Sequence, residues 1–364
     1  MSLIFSALEI GRGDAFLLQD RDSDWNCLVD SGVSKKRIVD ILKKKVISII
    51  NVAICTHNDI DHAKGFIGLL NSDIKIEEIW LPGNWTSIIQ YIKEHENIIH
   101  EMNWDLINYA KKTIDEIKSK EQQEKTFVFD TLFDDKKPSI PIEHFNNAIS
   151  DIEMPDNFDN SIQFLNYIPK ALKTSYQRIL FSMSRILEIA KLSKQKRCRI
   201  RWFSPNCSKN YKTYNHFVAL NSEEISEFRV LKDIDAFLSA LFLTIENKYS
   251  LVFEYLWDKT PILRFSADSD CINQSCHYKN SIIVTAPHHG SESNAVVYSK
   301  IQGNDIIWIR SDQKDVHRPC DAFKQIHGNK YCLACRQLNF RSEVCFEFSQ
   351  GKWIHLKGNE CKCK

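Results

Sequence analysis

Long hydrophobic runs are missing from this chain of 364 residues. The longest, Ala236 to Ile245, is about half of the ~20 apolar residues a membrane-spanning helix needs, so it suits a buried core and no membrane partner is expected. The opening MSLIFSALEIGRGD has no basic residue ahead of its apolar run, and Ser2 and Ser6 interrupt that run. It reads as a strand and not as a signal peptide, so the chain is expected to be cytoplasmic. Net charge is missing too: 48 Lys and Arg oppose 47 Asp and Glu, leaving +1. A wholly basic nucleic-acid coat is thereby disfavoured, while local basic patches stay open. Repeats and low-complexity linkers are absent, and 43% hydrophobic with 26% charged residues excludes a disordered or collagen-like chain.

Soft ligands are abundant instead, with twelve cysteines and twelve histidines. In a reducing compartment the thiols serve as packing residues, metal ligands or reactive groups, and a disulfide framework is not expected.

Residues 1–84 alternate short strands with short helices. LIFSALEI and AFLLQD read as strands joined at Gly11-Arg12-Gly13-Asp14, with NCLVDSG as a third. SKKRIVDILKKK reads as a helix with Ser34 at its N-cap. NVAICTH is a continuous apolar strand of the kind buried on both faces, and HAKGFIGLL starts a helix after it. Helical spacing dominates residues 85–198, around an acidic, loop-like stretch containing Asp134, Asp135, Glu143, Asp151, Glu153 and Asp156. Strand signals resume over 199–357, in RCRIRWFSP, AFLSALFLTI, YSLVFEYL, PILRFSAD and SIIVTAPHHG, and residues 358–364 form a cysteine-containing tail. The pattern predicts an α/β domain in two halves, 1–84 and 199–357, interrupted by a mostly helical insertion.

The strongest chemical signal is Thr56-His57-Asn58-Asp59-Ile60-Asp61-His62, four potential metal ligands within six residues between a buried strand and a helix. A strand-to-helix turn can splay such side chains around one or two cations. Imidazole suits zinc, iron or manganese, and carboxylates suit harder ions. The alternative is a polar loop with helix-capping aspartates. Pro287-His288-His289-Gly290-Ser291 follows an apolar strand and suits a ligand with a proton-transfer partner; otherwise it is a surface turn. Ser266-Ala267-Asp268 follows PILRF, where an aspartate could bridge two metals or merely terminate a strand. Cys332-x-x-Cys335 matches half of a tetrahedral zinc site, whose other half would be Cys361 with Cys363 or Cys320 with His317. Two basic runs, Lys191 to Arg201 and Lys35 to Lys45, could hold phosphates or simply be solvated helix faces.

In this order the motifs resemble the metallo-β-lactamase fold, and within it the ComEC-like branch, named for the nuclease-like domain of a bacterial DNA-uptake channel. His57-x-Asp59-x-Asp61-His62 resembles the family's H-x-H-x-D-H, with Asp at the second ligand position. LEIGRGDAFLL resembles the glycine-aspartate hairpin that contains Asp14, and LVDSG the motif whose aspartate, here Asp30, buttresses the metal loop from behind. ENKYSLVFEY, PHHGS and Val316-His317-Arg318-Pro319 resemble later motifs of the branch. Residues 1–84 and about 199–357 carry the resemblance; the insertion does not.

The resemblance implies a four-layered αββα sandwich and two divalent ions, zinc or manganese. One ion would take His57 and Asp59; the other Asp61, His62 and one of His288 or His289; Asp268 would bridge them. It implies proton handling by Asp59 or Asp61, and by whichever of His288 and His289 is not a ligand. His317 is a further candidate acid or phosphate contact. The chain has S-A-D where the family has T-G-D, and no histidine in Arg201 to Pro205, where lactamase-like enzymes carry a third-motif histidine; His216 is the candidate substitute. The implied activity is phosphodiester cleavage, with nucleic acid as substrate, in a possible effector of a multi-protein bacterial defence system. The alternatives are a hydrolase of a small ester, lactone or nucleotide, and a non-catalytic binding protein with an incomplete site. The insertion would be a lid, a substrate selector or a docking surface for a protein partner.

Overall fold

The computed structural model describes residues 2–95, 105–109, 112, 115–116, 139–149, 170–205, 212–245, 247–271, 275–311, 317–326, 328–335 and 341–363. The acidic stretch, apart from Glu143, and Val316 lie outside them.

Two large sheets carry the chain. The nine-stranded sheet runs in the order β10 (Ser222–Glu224), β7 (Arg199–Pro205), β5 (Lys75–Pro82), β4 (Ile49–Ile54), β3 (Trp25–Val29), β2 (Phe16–Asp20), β1 (Leu3–Ala7), β19 (Val344–Ser349) and β20 (Lys352–Lys357). The seven-stranded sheet runs β18 (Asn329–Cys332), β17 (Ile306–Arg310), β15 (Ile282–Thr285), β13 (Thr260–Phe265), β12 (Phe253–Trp257), β9 (Phe217–Ala219) and β8 (Thr213–Tyr214). Two short pairs flank them, β6 (Ser139–Pro141) with β11 (Glu227–Arg229), and β14 (Cys276–Tyr278) with β16 (Ile301–Gly303). Strands β3, β4, β5 and β7 are mutually parallel, as are β13, β15, β17 and β18. Parallel strands release their loops at one carboxyl end, where ligands gather in α/β sheets.

Alternation along the strands sorts side chains between two cores. Phe16, Leu18, Cys27 and Val29 point toward the second sheet, into a core with Trp80, Phe203, Phe217, Phe253, Phe265, Ile283 and Ile309. Their neighbours Leu17 and Leu28 face the opposite side. There they meet helices α1 (Lys35–Lys44), α2 (Ile60–Leu70), α3 (Asn84–Glu94), α4 (Ile142–Ala148), α5 (Lys170–Gln195) and α6 (Ile234–Ile245). A third, smaller core forms between β15 and β17 and the short helices α7 (Val297–Lys300) and α8 (Asp321–Gln325), with Val284, Trp308, Val297 and Phe323.

Helix α1 begins as its sequence requires, with the Ser34 side chain accepting from Arg37 N at 3.1 Å. AFLSALFLTI departs from the strand reading. It lies in α6, where Phe237, Leu238 and Leu241 pack on the helical side of the larger sheet. A continuous apolar run has no period to separate a buried helix from a buried strand, and here its length of 12 residues decides for helix. The described helices of 85–198 share the core of α1 and α2.

Phe253 is fully buried between the sheets, with ring centroids 5.4 Å from Trp80 and 5.5 Å from Phe203. Phe253→Ala is expected to cost about 3–5 kcal/mol, read as a lowered denaturant midpoint at unchanged slope.

Candidate metal centre

Four strand ends deliver the motif residues to one place. After β4 the chain turns through Cys55 to Asp59 into α2, whose first turn carries Asp61 and His62. Asp59 occupies the N-cap position but makes no capping hydrogen bond; its Oδ2 accepts from Asn247 Nδ2 at 2.8 Å. The helix-capping alternative therefore does not describe Asp59. The Gly11–Asp14 turn presses on the same helix. Asp14 N donates to Asp61 O at 3.1 Å, and a Cβ on Gly13 (φ 93°) would lie 1.7 Å from that oxygen, so only glycine fits.

From the second sheet, β13 ends in Ser266-Ala267-Asp268, with Ala267 at φ 48°, a left-handed conformation that a glycine would adopt without strain. β15 ends in the turn Pro287–Gly290, where His288 (φ 47°) and His289 (φ 55°) are both left-handed. Such strain costs about 1–3 kcal/mol per residue and persists only where surrounding bonds hold it. Here His288 N donates to Ala267 O at 2.9 Å, and Asn294 joins His288 to Asp268 through its side-chain amide.

The four imidazoles are oriented alike. His62 Nδ1 donates to Asp30 Oδ2 at 2.8 Å, and His289 Nδ1 to Asp14 Oδ1 at 3.0 Å. Thr56 Oγ1 gives its one hydrogen to Asp30 Oδ2 at 2.8 Å, so at 2.9 Å it must accept from His57 Nδ1. His288 Nδ1 donates to Asn294 Oδ1 at 3.1 Å. Each ring thus holds its hydrogen on Nδ1 and turns a lone pair on Nε2 toward the centre.

Those lone pairs surround Asp268, which is 3% exposed. On its Oδ2 side stand His57 Nε2 at 3.5 Å and His288 Nε2 at 3.6 Å. Ligand atoms of His57, Asp59 and Asp268 lie within 4.8 Å of one another. On its Oδ1 side stand His62 Nε2 at 3.3 Å and His289 Nε2 at 4.0 Å, with Asp61 Oδ2 3.7 Å from His289 Nε2. His62 Nε2 and His289 Nε2 face each other at 3.3 Å, a contact that a proton or a cation between them would satisfy. His57 Nε2 and Asp268 Oδ1 are buried without a hydrogen-bond partner. Converging imidazole and carboxylate groups and orphaned buried acceptors fit the binding of divalent cations around Asp268, and this donor set is of the kind that zinc or manganese takes.

Electrostatics say the same. Burial raises the Asp268 carboxyl, but His62 and His57 outweigh it and hold it well below the usual range. Burial lowers His62, yet the Asp268 and Asp30 carboxylates push it well above its ordinary value. His289 is driven up to about 9, because Asp14 and Asp268 outweigh burial. His288 falls, chiefly through burial. The carboxylates bind positive charge strongly, and a proton on His62 or His289 occupies the lone pair that a metal would need.

His57, Asp59, Asp61, His62, Asp268, His288 and His289 are thus brought together, with Asp14 and Asp30 behind them. Within PHHGS, His289 lies beside Asp61 and His62, and His288 on the His57 side. His216 is not brought in. It is exposed, stacks on Tyr255, and accepts at its backbone from Leu256, at the far end of β12 from Asp268. His317 is exposed, while its neighbour Arg318 reaches His288 Nε2 at 3.3 Å.

Sequence reasoning missed Asn247, the second residue of ENKYSLVFEY, whose Nδ2 also donates to Asp268 Oδ2 at 2.8 Å. It also missed Arg12, 3.3 Å from Asp61 Oδ2, and Arg185 of α5, which donates to the Asn58 carbonyl at 2.9 Å. Several members of the basic runs are paired within the chain, Lys35 with Glu188, Lys43 with Asp73, and Arg201 with Glu78 and Glu224.

No protein-family model matches the chain, and no curated protein matches it. Among solved structures it is similar to one described as the crystal structure of hydrolase AbOPH in the beta lactamase superfamily. The identity is 11% and the TM-score 0.32, over 70% of this chain and 55% of that one. The match therefore spans little more than half the length of that structure.

Divalent-ion affinity is expected to rise between pH 6.5 and 9, since His289, raised to about 9, is protonated below that value and must shed its proton to bind. Calorimetric titration with Mn²⁺ or Zn²⁺ in buffers of different ionisation enthalpy should show proton release; a pH-independent affinity would contradict this charge balance. Asp30→Asn, which removes the anionic acceptor behind His62 and Thr56, should weaken metal binding by about 10–100-fold.

Proposed function

We propose that the chain is a metal-dependent hydrolase on a four-layered αββα sandwich of the metallo-β-lactamase type, ComEC-like branch, and that its substrate is a phosphodiester, nucleic acid foremost. The single observation that carries the reading is the two-sided environment of Asp268, with His57 and His288 facing Oδ2 and His62 facing Oδ1. The three cores stack as helices, sheet, sheet and helices, which supports the layered reading. The expectation of a role in bacterial defence is supported by the motif resemblance alone.

Two divalent ions held by these residues would supply Lewis-acid stabilisation of a phosphoryl centre and a water nucleophile at neutral pH. The chain's own residues do the rest. Asp59 has the most exposed carboxylate of the centre, at 28%, and can take a proton from an incoming water. Arg12 and Arg318 stand at Asp61 and His288, and their guanidinium groups can bind and neutralise phosphoryl oxygens. Buried Asp14 and Asp30 keep the imidazoles in one tautomer throughout. Arg185 and Ser182 of α5 hold Asn58, so this helix braces the metal loop from the helical side.

With Mn²⁺ or Zn²⁺ added, the purified chain should cleave bis-p-nitrophenyl phosphate and either single-stranded or duplex DNA, and Asp268→Asn should fall to background. Arg12→Ala should raise KM for the phosphodiester. Turnover of p-nitrophenyl acetate without phosphodiester cleavage would move the assignment to a small ester. A chain that binds no metal and stays inactive with every added ion would replace it with a binding role.

A further inference from the structure

The hydrolytic centre uses no cysteine, and four cysteines gather elsewhere. β18 is the outermost strand of the seven-stranded sheet and ends at Cys332, with Cys335 three residues on. After the β19–β20 hairpin the chain returns to this edge. Glu360 forms an antiparallel bridge to Tyr331, and Cys361 N donates to Lys330 O at 2.6 Å. In an extended segment, residues two apart share a face, so Cys361 and Cys363 can both turn toward β18. The C-x-C spacing, a poor match to zinc in a helix or a tight knuckle, suits a strand-like tail.

The sulfurs of Cys332, Cys361 and Cys363 lie within 4.8 Å of one another, and Cys335 Sγ is 3.5 Å from Cys363 Sγ. Tetrahedral zinc with Zn–S of about 2.3 Å separates its sulfurs by about 3.8 Å. Cys332 and Cys335 are each 2% exposed. Lys362 N donates to Cys335 Sγ at 3.3 Å, a bond that favours a thiolate. The other pairing, Cys320 with His317, does not form this group: Cys320 packs in the third core and His317 is exposed.

A second observation comes from charge. Arg310, at the end of β17, is 1% exposed and donates to Cys332 Sγ at 3.4 Å and to Ala334 O at 2.7 Å. Its Nη1 has no hydrogen-bond partner, and no carboxylate pairs with it among the described residues. A buried guanidinium calls for a counter-charge, and among the described residues the Cys332 sulfur stands beside it. Four thiolates on one Zn²⁺ carry a net charge of −2 and would supply that counter-charge where Arg310 points.

We propose that Cys332, Cys335, Cys361 and Cys363 bind one structural zinc ion, with Arg310 as its buried counter-charge. Four protein ligands close the site, so the ion has no open position for chemistry. It fastens the tail to β18 and fixes Arg310. The Arg310 Cδ in turn lies 3.3 Å from where a Cβ on Gly290 would stand, behind the His288–His289 turn.

The test is metal content. Protein purified under reducing conditions and dialysed against zinc should hold tightly bound zinc that survives in the His57→Ala/Asp268→Asn variant and drops by one ion per chain in Cys361→Ser/Cys363→Ser. Titrating the His57→Ala/Asp268→Asn protein with a mercurial reagent should release one zinc as four thiols react. Since the cysteine variant could fail to fold, cobalt substitution of the otherwise intact protein gives a second reading. Thiolate-to-cobalt charge-transfer bands are expected, and a centre of histidine and aspartate alone cannot produce them. Equal zinc in the wild-type and cysteine variants, absence of those bands, or a Cys335–Cys363 disulfide found by mass spectrometry in freshly reduced and refolded protein would overturn the assignment.

Discussion

Five aspartates, Asp14, Asp30, Asp59, Asp61 and Asp268, are packed around four imidazoles inside one small volume, and their repulsion sets the terms for the surrounding structure. Negative charge at that density is tolerated in a low-dielectric interior only when cations or donated hydrogen bonds answer it. The chain answers it with Nδ1–H groups, the Thr56 hydroxyl, the Asn247 amide and two arginines at the mouth. Orienting every ring from behind turns the Nε2 atoms inward, and that of His57 is left buried without a partner. That arrangement is one that could hold a cation.

The architecture follows from this need. A buried cluster of like charges cannot be built on one flexible loop, because each group must be held against the others. The two sheets each contribute rigid parallel strands, β4 on one side and β13 and β15 on the other, whose carboxyl ends meet. Backbone strain at Ala267, His288 and His289 is confined to these ends, where the cluster's own bonds hold it. Helix α5 supports the same loop through Arg185, so part of the helical segment belongs to the frame of the centre.

Much of this was legible in the sequence because the informative residues are local. H-x-D-x-D-H places two ligand types within six positions after an apolar strand, and S-A-D and P-H-H-G add an aspartate and two histidines after two more. What was not legible depended on partners far away in the chain. Asn247 reads as one more loop asparagine until Asp59 and Asp268 close on it from both sides. His216 had the right side chain but sits at the wrong end of β12, which only the strand register reveals. The apolar run in α6 lacked a period, and the basic runs had acidic neighbours that linear spacing does not show. The C-x-C tail looked weak because its worth depends on running beside β18.

The hydrogen bond from His289 to Asp14 spans 275 positions of the chain, and Asp268 meets His57 across more than half its length. Loop-closure entropy makes such long-range contacts slow to form, and the nine-stranded sheet itself joins strands of both halves. The cage therefore cannot exist in a half-folded chain. A nascent first half carries His57, Asp59, Asp61 and His62 with nothing opposite to complete them. Any cation held by this cluster therefore depends on both halves of the chain being folded together.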